Sequence, residues 1–162
     1  GILSGNSLHL QSDKAIPDAQ CYGNHTFFYS LIGHKRDWFS AGIHRYAYEH
    51  NVPMKAIYGV FPNENKGQKL PPSMSFVSVE PSNLMVSALK RSEFGNGLII
   101  RLYNITDRTV DGIIRTYKNV KSAKLTNLNE EELPYGDIKI NDDGSIRLQV
   151  DSYEIKTIEL FF

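Results

Sequence analysis

The side chains in this chain that could do chemistry are five histidines, one cysteine, the run Glu130-Glu131-Glu132, and Arg101, which is set inside an apolar stretch. Zinc would need histidines, cysteines or carboxylates at short, regular spacing. His44 and His50 are six residues apart, and neither has a histidine four residues along. His-x-Glu, His-Glu-x-x-His and paired cysteines do not occur, so the histidines read as scattered loop and surface groups. Glycoside hydrolysis would need two facing carboxylates, one an acid and one a base or nucleophile. The acidic residues Asp107, Asp111, Glu130, Glu131, Glu132, Asp142 and Asp143 instead fall in turns or at solvent-facing strand positions. The glutamate run reads as a solvated loop. Ser87 and Ser92 lie in no Gly-x-Ser-x-Gly elbow. The "GNG" at 95–97 separates two strands and precedes no helix, so it is a turn and not a phosphate cradle.

Arg101 raises a sharper question. In "LIIRLY", Ile100 and Leu102 share one face of a strand, and Ile99, Arg101 and Tyr103 share the other. A charge within an apolar strand is costly unless it is paired. Arg101 should therefore bury its stem and reach a local acid, a rim or a neighbouring domain. Trp38 and the aromatics of "HTFFY" could stack on sugar rings, although a single Trp in an amphipathic stretch more simply belongs to a core.

These residues must be positioned by a chain of 162 residues, a length that suits one β-rich domain over 1–162. Nine Tyr and eight Phe tilt the composition toward sheet. Eighteen basic residues balance eighteen acidic ones, so there is no electrostatic footprint for nucleic acid or an anionic membrane. The absence of net charge also suits a piece of something larger. Cys21 has no partner for a disulfide, which points to a reducing, cytoplasmic setting. Asn24-His25-Thr26 and Asn104-Ile105-Thr106 match the glycosylation sequon, a pattern common by chance. The sequence contains neither a signal peptide nor a membrane-length apolar run.

Along the chain, Leu8 and Leu10 suggest a short strand, and the continuous "HTFFYSLIG" at 25–33 suggests a strand buried on both faces. From 37 to 51 alternation stops. Phe39, Ile43, Tyr46, Ala47 and His50 fall on one helical stripe, with Asp37 as N-cap and Pro53 ending the pattern, so a short helix or set of turns is expected near 37–51. Residues 54–61 return to strand character, and 62–73 is turn-rich and reads as an exposed loop. Strands are then expected at "SMSFVSV", "LMVSALK", "LIIRLYN", "VDGIIRTY", "VKSAKLT", "DIKI", "SIRLQV" and "YEIKTIELFF". Turns separate them at "EPSN", with Pro81 in second position, at "SEFGNG" and at "NDDGS". The final strand stops on "IELFF", as the end of a packed domain would. The expected fold is mainly β, an antiparallel β-sandwich with one early helix.

Three segments resemble the C-terminal β-rich region of glycoside hydrolase family 38 α-mannosidases, especially the bacterial type. "AQCYGNHTFFYSLIGHKRDW" (19–38) is similar to the family's Gly, aromatic strand, His and Asp-Trp order. "AYEHNVPM" (47–54) resembles its Ala-Tyr, Asn and Pro segment, and "LPPSMSFVSVEPSNLMVSALKRSEFGNGLIIRLYN" (70–104) is the most specific likeness. After 104 only the strand rhythm supports it. "GHKRD" at 33–37 departs from the commoner Pro-His with Gly-Asp.

The resemblance implies a fragment of a retaining, zinc-dependent exo-α-mannosidase. Its zinc ligands and Asp nucleophile would lie upstream, so no catalytic or metal residue and no cofactor is carried onto this chain. The implied partners are the parent's catalytic and helical domains and, through the parent, a mannosidic oligosaccharide. His34, Trp38 and Arg101 are expected to face that interdomain contact or the rim of the sugar pocket. The competing expectations are an independent carbohydrate-binding module with an exposed aromatic platform, and a plain structural or adhesion sandwich.

Overall fold

The computed structural model describes residues 23–59, 71–134 and 136–162. The chain divides into two compact units, Gly1–Asn63 and Glu64–Phe162. The strand suggested at Leu8 and Leu10, and most of the 62–73 loop, lie outside the described residues.

In the first unit, Asp37 caps a turn: its Oδ1 accepts hydrogen bonds from the Phe39 and Ser40 amides at 3.0 and 2.9 Å. The Ser40 side chain, first of all, and then the Ser40 and Phe39 amides hold the Asp37 carboxyl below the ordinary carboxylate range. The helix itself, α1, covers Ile43–Asn51 and starts from Gly42, which adopts the left-handed conformation (φ 69°) that glycine tolerates. The expected turn-and-helix segment is therefore present, but Asp37 caps the preceding turn and the helix N-cap is Gly42, not Asp37. No residue of α1 is buried, however, so among the described residues of this unit the stripe from Phe39 to His50 meets no core.

Two strand expectations fail here. Residues 25–33 and 54–59 form no regular structure, and their side chains are largely exposed. Phe28 is 85% accessible and Met54 is 99% accessible. An aromatic run favours extended backbone, but a strand also needs a neighbouring strand to take its hydrogen bonds. Among the described residues neither segment has one.

The second unit is the expected antiparallel sandwich. Its strands are β1 (Val77–Glu80), β2 (Leu84–Arg91), β3 (Leu98–Asn104), β4 (Val110–Thr116), β5 (Ser122–Thr126), β6 (Ile138–Ile140), β7 (Ile146–Val150) and β8 (Ile155–Phe161). They form two four-stranded sheets, ordered β1-β4-β7-β6 and β2-β3-β8-β5, and every named pair is antiparallel. β1 is shorter than the stretch "SMSFVSV" suggests, because Met74 and Phe76 precede the strand. Pro81, joined to Glu80 by a cis peptide, opens the following turn by accepting from the Leu84 amide at 3.0 Å, and so does not stand second in it. "NDDGS" makes the β6–β7 hairpin, with Gly144 at φ 76° and Asn141 N–H donating to the Ser145 carbonyl at 2.8 Å.

Alternation places the core. In β7, Ile146, Leu148 and Val150 point inward while Arg147 and Gln149 point out. They meet Ile100 and Leu102 of β3 and Ile158 and Leu160 of β8 in one buried cluster between the sheets. Each such side chain contributes roughly 1.5–3 kcal/mol relative to exposure. Gly112 in β4 lets the sheets approach closely, since a Cβ there would lie 2.7 Å from Leu84 Cδ1. Among the described residues no helix is long and apolar enough to cross a membrane.

Candidate functional site

Cross-strand register puts Lys90, Ile99, Arg101, Thr157 and Thr126 on the outer face of the β2-β3-β8-β5 sheet. Ile99 and Thr157 are nevertheless buried. The loop after β5 explains this, because it passes back over the face. Asn127 organises that loop: its Oδ1 accepts from the Asn129 and Glu131 amides at 2.9 and 3.0 Å. Its Nδ2 donates to Glu131 Oε2 at 2.6 Å. At the loop's apex Glu130 has a positive φ of 69°.

Glu130 reaches the far edge of the sheet. Its carboxylate lies 2.7 Å from Lys90 Nζ and accepts the Glu93 amide at 2.8 Å and the Ser92 hydroxyl at 3.5 Å. Only 5% of its side chain is accessible. Lys90, first of all, and then the Glu93 amide hold the Glu130 carboxyl below its ordinary value. Reciprocally, Glu130 and then Glu93 raise the Lys90 ammonium. The glutamate run is therefore not uniformly solvated. Glu131 and Glu132 are exposed, with Glu132 paired to Lys124 at 2.7 Å, but Glu130 is a clasp. Its partners lie 37 to 40 residues away in sequence, which is why local reading misses them.

Arg101 sits beneath this loop. Its Nε donates to Thr157 Oγ1 at 3.0 Å and its Nη2 to the Leu128 carbonyl at 2.9 Å. Among the described residues it forms no ion pair, so the expected local acid is replaced by two neutral acceptors. Between the β2–β3 turn and the β5–β6 loop lies an open groove of about 490 Å³. It is lined by Lys90, Glu93, Phe94, Arg101, Leu128, Asn129, Glu130 and Glu131. Phe94 and Leu128 expose 81% and 60% of their surfaces at its lips.

His34 and Trp38 belong to the first unit and Arg101 to the second. His34 is exposed, and its Nδ1 contacts the Arg36 carbonyl. Trp38, about half exposed, meets Phe39 and His44 edge-on at 5.8 and 5.9 Å. His44 stacks on Phe39 at 5.5 Å, and both its ring nitrogens are buried without hydrogen-bond partners among the described residues, unlike the surface histidine expected. Among the described residues no group of three or more His, Cys, Asp or Glu side chains could hold a metal ion.

The sequon at Asn104 is occupied by the fold. This side chain is 2% accessible, donates to the Arg108 and Asp151 carbonyls at 2.6 and 3.0 Å, and accepts from the Thr106 amide and hydroxyl.

Residues 83–158 match the family model for the glycosyl hydrolases family 38 C-terminal beta sandwich domain. Over 164 residues the chain is 28% identical to "Alpha-mannosidase 2C1" of Mus musculus, covering 98% of this chain and 15% of that protein. The corresponding figures for "Alpha-mannosidase 2C1" of Homo sapiens are 27% over 158 residues, 95% and 14%. The chain thus spans about a seventh of the length of the curated relatives it matches. No solved structure matches it. The matched segment runs from the turn before β2 into β8, so it is the second unit's sandwich that is similar to the C-terminal β-sandwich domain of family 38 glycosyl hydrolases.

Proposed function

We propose that this chain is a non-catalytic C-terminal part of a retaining, zinc-dependent α-mannosidase of the bacterial type. In this reading the zinc and the nucleophile belong to an upstream catalytic domain, and the chain packs on that domain and its helical neighbour. Its work is to support the parent enzyme in the cytoplasm and to help present a mannosidic oligosaccharide to it. The bacterial assignment rests on the segments at 19–38, 47–54 and 70–104.

The mannosidase reading is supported by the family-model match over 83–158 and by the two α-mannosidase relatives. The packing role is supported by the exposed apolar side chains of residues 23–59. Phe27, Phe28, Tyr29, Leu31, Met54 and Tyr58 all stand largely open, without the burial that such side chains favour. A contiguous stretch of this kind is what an interdomain contact covers, typically on the order of 600–1,500 Å². His34 and Trp38 lie within that stretch and are assigned to the contact. Arg101, uncompensated by any acid among the described residues, is assigned to a rim.

The test is hydrolysis of an aryl α-mannoside by the parent protein and by this chain, each supplied with zinc. Turnover by the parent and none by the chain is expected. Hydrolysis by the chain would end its non-catalytic role, and an inactive parent would end the mannosidase reading.

A further inference from the structure

We propose that the groove beside Arg101 is a subsite for one neutral hexose residue of a glycan. The choice of a mannoside as first probe rests on the α-mannosidase reading; the groove's preference for a neutral sugar does not.

The lining selects against net charge on a ligand. Lys90 and Arg101 are interleaved with Glu93, Glu130 and Glu131, two cations against three carboxylates. An anionic ligand would meet the carboxylates, and an organic cation would meet the ammonium and guanidinium. A neutral polyol, which donates and accepts at every hydroxyl, matches both sets. Free capacity remains for it. Arg101 uses Nε and Nη2 on Thr157 and Leu128, which leaves its other N–H groups open. The Asn129 carboxamide has no partner among the described residues, and Glu131 keeps one carboxylate oxygen beside the one held by Asn127.

The groove also supplies an apolar wall. Phe94 projects from the tip of the β2–β3 turn with 81% of its surface in solvent, so the face of its ring is open to a ligand. A pyranose has one face of C–H groups that can lie against such a ring while its equatorial hydroxyls reach sideways. The volume of about 490 Å³ falls within the range of small-molecule sites, roughly 300–1,000 Å³. Both walls are fixed before any ligand arrives, because the Glu130 clasp ties the β5–β6 loop to the β2–β3 turn. Such preorganisation lowers the ordering cost of binding.

The experiment is an amide-resolved NMR titration of the full 162-residue chain. The probes are methyl α-mannoside, methyl α-glucoside and methyl glucuronoside. The expected result is saturable binding of a neutral hexoside with a dissociation constant on the order of millimolar. Shifts should be confined to residues 90–94, 101 and 128–131. Phe94→Ala, at an exposed turn position, should weaken binding about fivefold, and Asn129→Ala should weaken it measurably. Binding of the glucoside as tightly as the mannoside still supports the groove, while counting against the mannosidase reading. No shift with either neutral sugar, shifts centred elsewhere, or tighter binding of the glucuronoside would each overturn the proposal, whatever activity the parent shows.

Discussion

Glu130 and Lys90 form a 2.7 Å ion pair that ties the loop after β5 to the end of β2, across the outer face of a sheet in which β3 and β8 lie between them. The pair fixes the height of the loop above Arg101 and hence the depth of the groove.

This clasp should make stability depend on pH. Lys90, followed by the Glu93 amide, lowers the Glu130 carboxyl in the folded chain, so the unfolded chain binds that proton more readily. The contribution is therefore complete above the ordinary carboxylate range and is lost as pH falls through the folded value. Glu130→Gln should lower the unfolding midpoint near neutrality and flatten its decline between about pH 6 and pH 3. Thermal unfolding followed by circular dichroism measures both. Parallel curves for the two proteins would show that the clasp contributes nothing.

Arg101→Ala removes the donors to the Leu128 carbonyl and Thr157 hydroxyl, and should destabilise the chain by about 1–2 kcal/mol in urea. In the parent enzyme it should also lower turnover of an aryl α-mannoside. If stability and turnover are both unchanged, Arg101 has no role at a rim or contact.

Asn104→Ala removes the bonds from its buried carboxamide to the Arg108 and Asp151 carbonyls and from the Thr106 amide and hydroxyl, at a cost of ~1–3 kcal/mol. The same burial predicts that the folded chain carries no glycan at Asn104 even when it is expressed through a secretory pathway. Intact-mass analysis decides the second point, since a sugar attached there would contradict the geometry.

Gly112→Ala should cost ~1–3 kcal/mol, because the added methyl lies 2.7 Å from Leu84 Cδ1 in the core. The double variant with Leu84→Ala should recover part of that loss relative to the sum of the single changes. Strict additivity would mean that the two residues do not touch.

Chymotrypsin should cut the chain first at the aromatic residues of 27–29 and at Tyr58, leaving the sandwich whole. In the parent those sites should be protected if a neighbouring domain covers them. Equal cleavage in both would remove the main support for an interdomain surface.

The sandwich was legible because its information is local. Ile146, Leu148 and Val150 alternate with Arg147 and Gln149, and "NDDGS" places the hairpin before them. "HTFFYSLIG" misled for the opposite reason: its composition favours a strand, yet the hydrogen bonds of a strand come from another segment, and none is present among the described residues. Glu130 was hidden by distance, since nothing in Glu130-Glu131-Glu132 distinguishes the first carboxylate from the other two. For Arg101, pattern placed the residue on its face and showed that its charge required an answer. It could not show that a backbone carbonyl would supply one.

The β5–β6 loop lies as a strap across β3 and β8, and the side chains of Ile99 and Thr157 are buried on the face beneath it. Lifting the strap would uncover both side chains together, in one shared local opening event. The sheet's outer layer would then breathe as a single panel hinged on Asn127, at a rate set by how often Glu130 lets go.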